Sequence, residues 1–212
     1  MTQKNLRQLL FLLLFLPFSL FAQKKNSSFS GEMLFNVERV APPDSSREMV
    51  LIYAKDSLLK VINFSTQWGQ QELIKHISRQ KSYLLISTTK GNYAIRTEYT
   101  KNVDTSMHYT YKKTFGHKRI GGFKAKKLKV QFSGINKDFD FYYFKKIPAK
   151  YGSAFTDFPG LVAEYFLPSD QGLFKYTLTS LKNMDPPLSL FMIPENYKKV
   201  SLEQFLEEIA TP

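Results

Sequence analysis

Apolar and polar residues alternate with period two along most of the chain. Phe29, Gly31, Met33, Phe35 and Val37 alternate with Ser30, Glu32, Leu34, Asn36 and Glu38, the pattern of a strand with one buried face. Ala41-Pro42-Pro43-Asp44-Ser45-Ser46 interrupts it as a surface turn. Met49–Tyr53 and Leu58–Phe64 follow, joined at Ala54-Lys55-Asp56-Ser57 in the manner of a hairpin. Tyr83–Ile86 and Tyr93–Tyr99 form a second hairpin around Thr88-Thr89-Lys90-Gly91-Asn92. Met107–Lys113, Phe123–Phe132, Phe139–Lys145, Leu161–Phe166 and Phe174–Leu181 extend the series at intervals of about 10 to 16 residues. This spacing predicts a mainly β fold: a curved antiparallel sheet or open half-barrel. Gln67–Ile77 is ambiguous in period at Trp68, Leu73 and Ile74, and a helix is an alternative there.

The chain ends differently. Ser201 and Gln204 form a capping box, and Leu202, Phe205, Leu206 and Ile209 recur at helical spacing. A C-terminal amphipathic helix should bury that stripe against the sheet. At the other end, Lys4 and Arg7 precede an apolar run, Leu9–Leu16, which reads as a signal peptide over 1–22 with cleavage between Ala22 and Gln23. A single domain over 23–212 should then lie outside the cytoplasm, in the periplasm or secreted. No later stretch reaches the roughly 18 apolar residues of a membrane-spanning helix.

Composition narrows the chemistry. The chain has no cysteine, which excludes disulfides, zinc thiolates and a cysteine nucleophile. His76, His108 and His117 lack metal-ligand spacing, so neither metal nor other cofactor is expected. Gly116–Gly121 resembles a phosphate loop but lacks its Lys-Ser/Thr and reads as a turn. Asn136, Asp138 and Asp140 begin like a calcium loop that Phe141 and Ile147 then break. Asp138 and Asp140 share a strand face about 7 Å apart, the only support for a hydrolase; a solvated face is the alternative.

Net charge is +12, and it is uneven. No acid occurs between Asp104 and Asp138, while Lys112, Lys113, Lys118, Arg119, Lys124, Lys126, Lys127, Lys129 and Lys137 do. Of these, Lys118, Arg119, Lys124, Lys126, Lys127 and Lys129 form the candidate patch for an anionic envelope surface or lipid; protection of an exposed sheet edge is the alternative reading. Interleaved stacking aromatics are missing, so nucleic acid is not expected. Phe139, Phe141 and Tyr143 point one way along a strand, and they could line an apolar ligand pocket or simply be core.

Ile147-Pro148, Tyr151-Gly152 and Phe158-Pro159-Gly160-Leu161-Val162, with Ile120–Lys127 upstream and Phe191–Tyr197 downstream, carry a resemblance. Over about 117–200 the chain resembles the GLPGLI family and related uncharacterised envelope domains of Gram-negative bacteria, with Ala125 at a frequent cysteine position and Phe158 at the Leu of the motif. The resemblance implies a periplasmic β-rich domain similar to the half-barrel of lipoprotein carriers. Pro159-Gly160 itself should form a type II turn with Gly160 at positive φ. The expected function is non-enzymatic: binding of a lipid or other apolar ligand in the curved sheet, or alternatively of an envelope protein without any cavity.

Overall fold

A computed structural model of the chain describes residues 28–65, 69–97, 108–152 and 154–210. The leader with its Ala22–Gln23 bond, Trp68, Tyr99 and Met107 lie outside these residues. Strands β1 (Ser30–Ala41), β2 (Pro43–Lys55), β3 (Leu58–Ser65), β4 (Gly69–His76), β5 (Lys81–Thr88) and β6 (Gly91–Thr97) form one meander. Strands β7 (Tyr109–Ile120), β8 (Phe123–Phe132), β9 (Asp138–Phe144), β10 (Leu161–Ser169) and β11 (Gly172–Asn183) form another. Short β12 (Lys198–Val200) and helix α1 (Leu202–Ala210) complete the described chain.

All twelve strands belong to one sheet in the order β12-β6-β5-β4-β3-β2-β1-β11-β10-β9-β8-β7. The sheet is curved and open, not closed into a barrel, as the period-two pattern predicts. Among the described strands, backbone pairing joins the two meanders at the β1–β11 ladder, where Gly31 pairs with Asn183 and Val37 with Tyr176. The twist of adjacent strands accumulates across so many strands. The β7–β8 hairpin accordingly bends back until Gly121 lies against Leu178 of β11. Gly121 and Gly122, at φ 54° and 84°, form the two-residue tip, the conformation that suits a hairpin's twist and that only glycine adopts freely. Gly116, expected within a turn, instead sits inside β7 at a register shift.

The main core lies on one face of the sheet. Met33, Ile52, Leu59, Leu128, Phe141, Leu161 and Leu178 are almost fully buried in it. Loop 145–160 folds over this face and fills it with rings. Phe155 packs against Tyr109, Phe132, Phe141, Phe158 and Tyr165 at centroid distances of 5.0–6.4 Å, separations favourable for aromatic pairs. Its φ of 57° is unusual for a bulky residue, so the ring packing holds a strained backbone in place. Tyr151, wholly buried, ties the loop to the first meander: its hydroxyl accepts from the Phe29 amide at 3.0 Å and donates to the Asp56 carbonyl at 2.6 Å.

Other expectations change as well. Residues 69–76 form strand β4, not a helix. The capping box exists, with Ser201 N donating to Gln204 Oε1 at 2.9 Å and Gln204 N to Ser201 Oγ at 3.2 Å. Yet only Phe205 of the predicted apolar stripe is buried, against Tyr93, Ile95 and Val200; Leu202, Leu206 and Ile209 are exposed. Gly160 does not take positive φ. Glycine is required there because a Cβ would overlap the Phe144 carbonyl oxygen as the chain enters β10.

Candidate functional site

Phe139, Phe141 and Tyr143 stand on β9 with their side chains in the main core. Phe141 contacts Phe132, Phe155, Phe158, Tyr165 and Phe166, so the ring space beside it is filled by the protein itself. Phe158, Leu161 and Val162 of the motif are buried in the same cluster, and Pro159 and Gly160 form the bend that delivers them. Cavities of about 780, 370 and 290 Å³ are lined by other residues.

The basic patch divides into paired and unpaired members. Lys118 donates to both oxygens of buried Glu164, at 2.8 and 3.1 Å. Lys127 pairs with Asp140 at 2.7 Å and Lys129 with Asp138 at 3.4 Å. The two aspartates are thus arranged as ion-pair partners on β9, one for each lysine of β8. Arg119 donates to the Gly122 carbonyl at 3.4 Å. Lys112, Lys113, Lys124 and Lys126 are exposed and have no carboxylate partner among the described residues.

These unpaired cations surround the outer edge of the sheet. β7 is the terminal strand, bonded to β8 on one side and to no other strand among the described residues. Nine of its twelve residues are exposed. Phe115 is completely exposed and Tyr111 is 38% exposed, in a stretch that includes Lys112, Lys113 and His117. An edge strand offers a row of backbone donors and acceptors to any extended chain laid beside it. The register shift between Lys113 and His117 limits that row to two short segments. Behind the edge, Tyr109 donates to the Asp157 carboxylate at 2.5 Å and anchors β7 to the loop. Burial, aided by this bond, pushes its phenol well above the ordinary tyrosine value.

The class defined by this geometry is an open antiparallel β-sheet module with a long, basic terminal hairpin. A solved structure of PNGF-II in the C2 space group is similar in fold, with a TM-score of 0.50 and 14% identity over 86% of this chain. The match spans only 33% of that chain. No protein-family model and no curated protein matches this sequence.

Sequence reasoning located the bases but missed Phe115, although an apolar residue between Lys113 and His117 is a visible signal.

Proposed function

We propose that the protein is an exported, non-enzymatic envelope module that holds an acidic, extended segment of a partner protein along β7. The observation that carries this reading is the terminal strand itself: an edge with no further strand and no carboxylate partner for Lys112 or Lys113 among the described residues, nine exposed residues, and a fully exposed Phe115. Cations along the edge select acidic chains and speed their encounter, while backbone pairing supplies contact that does not depend on side-chain identity. The ring-filled core favours this reading over a lipid held between β9 and the loop.

The test is fluorescence anisotropy with two labelled peptides of alternating sequence, Glu-Val and Lys-Val. The Glu-Val peptide should bind, and binding should weaken about tenfold between roughly 50 and 300 mM salt. Lys112→Glu with Lys113→Glu should abolish it without changing the melting temperature, since both side chains are exposed. Amide hydrogen exchange should slow in β7 alone. Equal binding of the Lys-Val peptide, or protection appearing elsewhere, would reject the assignment.

A further inference from the structure

At the opposite end of the sheet, the strand ladders place charges together on the face turned away from the main core. His76, the last residue of β4, pairs directly with Lys81, the first of β5. Arg79 lies in the turn between them, and Lys199 enters from β12, which runs parallel to β6. Cations gathered in one place repel one another, yet no carboxylate pairs with Arg79, Lys81 or Lys199 among the described residues. The four groups share a cleft of about 290 Å³ with Tyr83, Phe191, Met192 and Ile193.

One wall of this cleft is cationic and the other apolar. Segment 184–197 packs Ile193 and Tyr197 onto Ile74, Leu85 and Ala94, and Lys55 clamps it by bonding the Pro186 carbonyl and the Asp185 carboxylate. Met192 is left 65% exposed at the rim. Burial, followed by the charges of Arg79 and Lys81, holds the His76 imidazole below its ordinary value. A bound anion would relieve their mutual repulsion, and the small volume restricts the apolar part to a short chain.

We propose that this cleft binds a small amphiphilic anion, with its phosphate or carboxylate head among His76, Arg79, Lys81 and Lys199 and its apolar body against Met192 and Ile193. The site is independent of β7, and either assignment can fail without the other.

The experiment follows the His76 ring resonances of the full chain by NMR while hexyl phosphate is added. Saturable shifts with a millimolar or tighter dissociation constant are expected, together with a rise in the His76 titration midpoint as the anion offsets its cationic neighbours. Arg79→Gln with Lys81→Gln should weaken binding at least about tenfold while the remaining amide spectrum stays unchanged, which separates lost recognition from lost fold. Inorganic phosphate should bind more weakly than hexyl phosphate, and hexyltrimethylammonium should not bind. No His76 shift, equal affinity for the two phosphates, or binding of the cation would each overturn the proposal. Competition by phosphatidylglycerol vesicles would support it with a lipid headgroup as the source. Binding of hexyl phosphate unaffected by such vesicles would support it with a free anion as the source.

Discussion

Loop 145–160 and segment 184–210 each cover part of the same sheet, the first over β8–β10 and the second over β4–β6. The loop does so with rings: Phe155, Phe158 and Tyr151 join Phe132, Phe141 and Tyr165 in one continuous cluster. The C-terminal segment splits instead around the sheet. Its stretch 184–197 covers Ile74, Leu85 and Ala94 on one face, while α1 lays Phe205 against Tyr93, Ile95 and Val200 on the other. Dense ring packing makes a rigid interior with no room for a guest. Thin cover on both faces leaves clefts, exposed apolar side chains at Leu202, Leu206 and Met192, and the cationic group around His76. Both proposed binding sites lie where the core is sparse, at the two ends of the sheet.

The contrast breaks most directly at Phe141. Phe141→Ala should lower stability by about 3–5 kcal/mol, with every part of the described fold melting together in calorimetry and circular dichroism. A loss under about 1 kcal/mol would mean that the rings are not a single packed unit.

Alkali should strike the same half next. Tyr176 stacks on Tyr165 at 4.6 Å, and burial, with a smaller contribution from Glu48, pushes its phenol up to about 12. Its folded value lies above the unfolded one, so the associated stability is complete below pH 10 and is lost as pH rises through 12. Two units correspond to about 2–3 kcal/mol. Denaturant midpoints measured from pH 9 to 12 should fall steeply, and Tyr176→Phe should flatten the slope; an unchanged slope would assign the loss to other groups.

The smallest effect is expected in the C-terminal cover. Phe205→Ala should release α1 locally, raising hydrogen exchange over 198–210 while costing the sheet no more than about 2 kcal/mol. Cooperative unfolding of the whole sheet in that variant would erase the distinction drawn above.

Fold class was legible because most strands bury one face, so alternation survives in the sequence. It fails at β4 for a physical reason: Leu73 faces the main core and Ile74 the 184–197 cover, which makes neighbouring positions apolar and hides the period. β12 is three residues long and leaves no pattern at all. The basic patch was legible as a run of lysines, but not its neutralisation, since Asp138 and Asp140 come from the neighbouring strand β9 and Glu164 from β10, three strands from Lys118. The cationic cleft has half a signature, with His76, Arg79 and Lys81 within six residues. Lys199 joins them only through the parallel pairing of β12 with β6, which no local pattern encodes. At Gly160 the sequence disclosed a required glycine, although tertiary crowding rather than turn geometry is the cause.

The seam between the meanders sets an order of assembly. β1 through β6 can pair as soon as they are synthesised and free to fold, because each bonds its neighbour in sequence. The remaining side of β1 waits for β11, since Gly31 closes onto Asn183 across almost the whole sheet-forming chain. Contacts between such distant positions form late and slow the overall rate. In the interval β1 is a bare, largely apolar edge at the future centre of the molecule, open to pairing with another copy. A folding helper acting on this chain would find Ser30–Ala41 bare until the last long strand arrives.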